Sequence, residues 1–230
     1  MLRRILRNVI RPDSIRQDLN VGGTALRQAF HGARFEVLGN SGELHRLRAV
    51  RLNIGCGSAV KEGWTNLDIC PAPGAFYSDA RNGLPLGDGA AVHIHCEHFL
   101  EHLEFAAAER FLGECHRVLS PGGTLRVIVP DAEKYLTAYC RNDEEFFRGL
   151  KRLGGARVPL VTRIEIVNQM FRMGDAHRFA WDFETLELVT KRIGFSRALR
   201  SSLGDIPSDL NIDGTDPWRP VESLYVNIHK

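Results

Sequence analysis

From residue 50 onward, hydrophobic and polar positions fall into short blocks whose period changes regularly. Val50-Arg-Leu-Asn-Ile54, Trp64-Thr-Asn-Leu-Asp-Ile69, Ala91-Val-His-Ile-His-Cys96 and Thr124-Leu-Arg-Val-Ile-Val129 have the length and apolar content of strands. Between the last two, residues 100–119 repeat apolar side chains at helical spacing, and Ser120-Pro-Gly-Gly123 supplies a stop signal. Helical spacing returns around 146–153, 164–171 and 182–193, and residues 196–201 and 224–228 read as two further strands. Strands alternating with helices predict an α/β domain built on a mainly parallel sheet covered on both faces. The fifty residues between the strand at 124–129 and the helix at 182 exceed what a crossover needs, so 131–180 reads as a helical lid over an acceptor.

Ahead of residue 49 the pattern weakens. Leu2, Ile5, Leu6, Val9 and Ile10 predict a short amphipathic helix stopped near Pro12, and glycine-rich turns punctuate residues 13–48. The chain thus divides into a 1–48 extension and a 49–230 domain. Residues 1–50 carry nine arginines against four acidic residues, so the remaining residues are slightly acidic within a total of +2. This basic arm is either a solvated helix face or, through residues 1–16, a contact for an anionic membrane surface or a protein.

Composition narrows the class. With 43% apolar and 25% charged residues, the 230-residue chain lies in the ordinary globular range. Its small net charge, and basic residues without interleaved aromatics, argue against a nucleic-acid partner. Five cysteines with no CxxC pair suit free thiols in a reducing cytoplasm. No apolar run is long enough to cross a bilayer.

Ligands of such sheets bind beyond the carboxyl ends of the strands. Four positions fall there: Asn53-Ile-Gly55-Cys56-Gly57, where glycines allow close backbone approach; Asp68, a carboxylate suited to ribose hydroxyls; Asp79-Ala80; and Glu97-His98. The stretches LNIGCGS (52–58), NLDI (66–69), SDARNGLPL (78–86), CEHFLEHL (96–103) and RVLSPGGTLRVIVPD (117–131) resemble the class I S-adenosylmethionine-dependent methyltransferases. The resemblance implies a doubly wound, mainly parallel seven-stranded sheet and S-adenosylmethionine as cofactor. It puts Asn53, Gly55, Cys56 and Gly57 under the methionine and ribose, Asp68 on the ribose hydroxyls and Ile69 against adenine. It also implies that Asp79 and the Ala80 amide read the adenine edge, and that Glu97 and His98 flank the methionyl end. The subgroup resembled is the short type associated with polysaccharide and cell-envelope synthesis, which implies O-methylation of a saccharide or other small acceptor. Two departures stand out: Asn53 replaces the family's usual acidic residue, and ten residues separate Gly57 from Asp68, so the first helix is short or replaced by loop.

An acceptor hydroxyl must lose a proton, and histidine titrates in the right range. His98 and His177 are the candidate bases, with His102 and Arg178 as candidate acceptor contacts; Arg178 otherwise pairs with Asp175 or Asp182. His98-Phe-Leu-Glu101-His102 also matches the H-x-x-E-H pattern of zinc proteases. That chemistry needs a third ligand and an open cleft, neither legible in the sequence, so no metal is expected. His93 and His95, alternating along a strand, read as satisfied core histidines. Rival readings are an NAD-dependent oxidoreductase, which would want the third glycine of G-x-G-x-x-G, and a non-catalytic nucleotide-binding module.

Overall fold

The computed structural model describes residues 41–155 and 160–230, so the expectations for residues 1–16 lie outside the described residues. The strands are β1 (Val50–Ile54), β2 (Thr65–Asp68), β3 (Phe76–Tyr77), β4 (Ala91–Glu97), β5 (Leu119–Pro130), β6 (Arg197–Ser201) and β7 (Ser223–His229). They form one sheet in the order β3-β2-β1-β4-β5-β7-β6. The first five run parallel, whereas β7 enters antiparallel between β5 and β6. The α/β sheet expected from the sequence is present.

Helices α1 (Ser41–Leu44), α2 (Phe105–Val118), α3 (Ala132–Cys140), α4 (Glu144–Leu153), α5 (Arg163–Arg172), α6 (Phe183–Ile193) and α7 (Arg219–Glu222) connect them. Three alanines follow Phe105 in the first turn of α2, and its buried positions, Ala108, Phe111, Leu112, Cys115 and Val118, recur at three- and four-residue steps. That stripe packs with Leu186 and Val189 of α6 on Leu52, Ile94, Leu125 and Val127. Each such aliphatic or aromatic side chain contributes about 1.5–3 kcal/mol by leaving water.

The helix expected over 100–119 is divided: a 3-10 turn at Leu100–His102 precedes α2. Its stop comes one residue earlier than Ser120, because Leu119 already pairs with Ala91 as the start of β5. Ser120–Gly123 then bulges from the ladder, with Gly122 at φ 76°, before pairing resumes at Thr124 opposite His93.

The two faces of the sheet differ. Leu67, Ile54, Cys96, Val127 and Val226 form one apolar row across five strands. The row beside it, pointing to the opposite face, reads Asn66, Asn53, His95, Arg126 and Asn227. Among the described residues this polar face is met by Trp64, edge-on to His93 and His95, and by Asp213, which holds Arg126. Residues 55–64 join β1 to β2 without a helix, as the short spacing to Asp68 implied. Buried polar side chains hydrogen-bonded to one another take that place.

Residues 132–172 build a second apolar cluster from α3, α4 and α5, with Tyr135, Phe147, Leu150, Ile166 and Met170 at its centre. Local signals set these helices: Asp143 caps α4, Gly154 ends it in the left-handed region, and Thr162 with Glu165 forms a capping box on α5.

Candidate functional site

The carboxyl ends of β1, β2 and β4 and the amino end of β7 meet along one rim. There β1 runs into Gly55 and Gly57, both with positive φ (68° and 51°). A Cβ on Gly55 would stand 2.6 Å from Cδ2 of Phe99, so this turn packs directly under the residue that follows His98. Asp68 organises the loop, its two oxygens accepting the Gly57 and Cys70 amides at 2.8 and 2.7 Å. Lone pairs remain on both oxygens for further donors. Cys56 is buried; burial and then the Asp68 charge push its thiol up to about 11, so it is neutral.

The other expected cofactor positions are more occupied. Asn53 points into the polar row, donating to Asn66 and to the Ala59 carbonyl. Asp79 grips Arg81 through both oxygens at 2.8 and 2.7 Å, and this bond holds its carboxyl below the usual range. Ala80 is buried behind it, and Ile69 is half-buried just past β2. Glu97 accepts the Gly214 amide at 2.9 Å and pairs with Arg219 at 2.7 Å. Burial opposes ionisation of Glu97, but His95, Arg219 and that amide outweigh it and keep the carboxyl below its usual range. Gly55, Gly57 and Asp68 thus fit a ribosyl group, Gly57 leaving open space where a Cβ would be. Asp79 and Glu97 are engaged by arginines.

Beside this rim lies a cavity of about 260 Å³, lined by His98, Glu101, His102, Tyr135, His177 and Glu222 among others. Three of the four candidate catalytic and acceptor residues, His98, His102 and His177, are brought together there. Arg178 is exposed and contributes its backbone amide to the Glu101 carbonyl at 2.7 Å; of its two expected partners, Asp175 pairs with Arg172 and Asp182 caps α6.

His98 occupies the left-handed region (φ 47°), rare for a residue with a side chain and frequent at functional sites. Its Nδ1 lies 3.3 Å from Oε1 of Glu101, and its Nε2 lies 3.1 Å from Ser223 Oγ and 3.9 Å from Oε1 of Glu222. Trp218 packs edge-on against the ring. Burial raises Glu222, which accepts a hydrogen bond from Tyr135; burial, then Glu222, raises the Tyr135 hydroxyl, so it stays a donor. Burial lowers His177, leaving its imidazole neutral near neutral pH.

Sequence reasoning missed Tyr135, Trp218, Arg219 and Glu222. No motif marks the last three; the antiparallel insertion of β7, pairing Pro130 with Ser223, carries them to the rim. The buried Arg126, bound by Asp213 at 2.6 Å and by Ser201, Ser202 and Asn227, was also unmarked. His93 departs from expectation: it is buried, yet among the described residues neither ring nitrogen has a hydrogen-bond partner.

Comparison with known proteins gives the fold a family context. No curated protein matches the chain. A methyltransferase of Archaeoglobus fulgidus described as dependent on S-adenosylmethionine superposes with a TM-score of 0.50 at 16% identity, over 89% of this chain and 94% of that one. A possible histamine N-methyltransferase from Thermotoga maritima gives 0.49 at 19% identity over 85% and 98%. The 1,6-didemethyltoxoflavin-N1-methyltransferase of Burkholderia thailandensis, solved with S-adenosylhomocysteine, gives 0.47 at 14% identity over 96% and 91%. Residues 68–127 match the family model described as "Methyltransferase domain". The stretch from the end of β2 into β5 is thus similar to that family model, and the sheet that carries it shares its fold with the Archaeoglobus fulgidus protein.

Proposed function

We propose that the protein transfers a methyl group from S-adenosylmethionine to an oxygen of a small polyhydroxylated acceptor, a saccharide by the character of the cavity. Bound along Gly55, Gly57 and Asp68, the cofactor supplies an electrophilic methyl on a sulfonium. The protein's own tasks are to align the acceptor, keep water out and take a proton.

The observation that carries this reading is the setting of His98. It ends the strand next to the glycine turn, its Nδ1 edge beside Glu101 and its Nε2 edge toward Ser223, Glu222 and the cavity. A buried carboxylate 3.3 Å from one nitrogen favours the imidazolium that forms when the other takes a proton. Neutral His177, the Tyr135–Glu222 pair and Trp218 around the same space suit a ligand with several hydroxyls and one apolar face. Helices α3 to α5, between β5 and α6, serve as the lid that closes over it.

The test is turnover with methyl-labelled donor across a panel of saccharide acceptors, alongside calorimetric binding of S-adenosylhomocysteine. His98→Ala should keep cofactor binding while losing about 10²–10⁴-fold in turnover, the range for a general base. Unchanged turnover removes His98 from that role, and no cofactor binding by the unsubstituted protein removes the reaction itself.

A further inference from the structure

The His98-x-x-Glu101-His102 pattern lacks, in the sequence, a third ligand and an open cleft. The fold supplies both. Backbone amides of Arg178 and Phe179 bond to the Glu101 carbonyl and draw the 174–182 segment against the 3-10 turn. One ligand atom from each of Glu101, His102 and His177 then falls within 4.8 Å of the others, on the wall of the cavity.

The two imidazoles are prepared in the same way. His102 Nδ1 stands 3.0 Å from the Ala176 carbonyl, and His177 Nδ1 stands 2.6 Å from the Met170 carbonyl. A carbonyl oxygen only accepts, so each Nδ1 carries a hydrogen, and Nε2 is the nitrogen of each ring left to face a ligand. Histidine ligands of metals are held by this kind of second bond, which fixes tautomer and ring orientation. Between them the Glu101 side chain is 98% buried, and neither oxygen accepts a hydrogen bond among the described residues. His98 Nδ1 approaches Oε1 at 3.3 Å without hydrogen-bond alignment. A buried carboxylate without aligned donors is costly, and a bound cation removes that cost.

We propose that Glu101, His102 and His177 form a divalent transition-metal site, for zinc by its donor set, with coordination positions open to the cavity. Two imidazoles and one carboxylate suit zinc and its neighbours, whereas magnesium and calcium favour all-oxygen sites. In that position the ion would polarise an acceptor oxygen as a Lewis acid beside His98. Metal uptake is independent of methyl transfer, and measuring it without donor or acceptor lets the two readings fail separately.

The experiment is zinc chloride titration of the full chain, stripped with chelator and dialysed, followed by calorimetry. One ion per chain is expected. His102→Ala, at an exposed ring, and the isosteric Glu101→Gln should each weaken binding by more than the 10–100-fold that loss of a supporting partner costs. His116→Ala, away from the cavity, should leave it unchanged. X-ray absorption on the zinc-loaded, unsubstituted protein should fit two imidazole nitrogens at about 2.0–2.1 Å and a carboxylate oxygen, whatever the variants' folding. No stoichiometric uptake, a sulfur-containing shell, or full affinity in both site variants overturns the proposal.

Discussion

Gly55 shows how one residue ties two parts of the rim together. Its φ of 68° disfavours any side chain, and a Cβ there would press to 2.6 Å on Phe99. Gly57 shares the left-handed backbone (φ 51°) but has nothing within 4 Å of such an atom. Alanine at either site should cost about 1–3 kcal/mol for the backbone. Gly55→Ala should cost more, because Phe99 must also move and His98 precedes it. Urea midpoints measure the difference, and equal losses at the two positions would show that Phe99 does not bear on the turn.

At the level of elements, the polar row across the sheet is the feature most unlike an ordinary α/β core. Asn66, Asn53, His95, Arg126 and Asn227 stand where apolar residues under a helix would be expected. Arg126 is wholly buried against Asp213, which also accepts the Gly204 amide and so holds the segment after β6 over the sheet. Breaking a buried pair strands the remaining charge, so Arg126→Met should destabilise by about 3–5 kcal/mol. Arg126→Met with Asp213→Leu should recover part of that loss, because neither charge then remains. A double-mutant cycle by denaturant unfolding decides; strictly additive losses would mean that the two residues act separately.

For the whole molecule, the buried histidines set a pH dependence. Burial, then the nearby His95 and Arg126 and Arg51 charges, lowers His93 from 6.5 to about 3. Between those values the unfolded chain binds a proton that the folded chain refuses. Stability therefore rises with pH across that window, is complete above about 6.5, and is lost as pH falls through it. The loss accrues at about 1.4 kcal/mol per pH unit while the difference persists. His177, lowered by its own burial, acts in the same direction. His93→Phe should flatten the acid limb, measured as unfolding free energy at about pH 4.5 against pH 7.5. An unchanged slope would assign the acid sensitivity elsewhere. Among the described residues no helix is long and apolar enough to cross a membrane.

Strand by strand, much of this architecture was legible in the sequence because it is local. Apolar blocks marked β1, β2, β4 and β5, and helical spacing marked residues 146–153, 164–171 and 182–193. The glycine turn and Asp68 were legible as a candidate rim because ligands of such sheets meet backbone and carboxylates at strand ends. Sequence by itself did not order the sheet, and so could not bring Trp218, Arg219 and Glu222 to the end of β5. Nor could it join His177 to Glu101 and His102 across some seventy intervening residues, since backbone bonds made only in the folded chain hold that junction. Local propensity and residue chemistry determine elements and their ends. Which side chains share a cavity is decided by long-range pairing, where the antiparallel entry of β7 and the docking of residues 174–182 close the site.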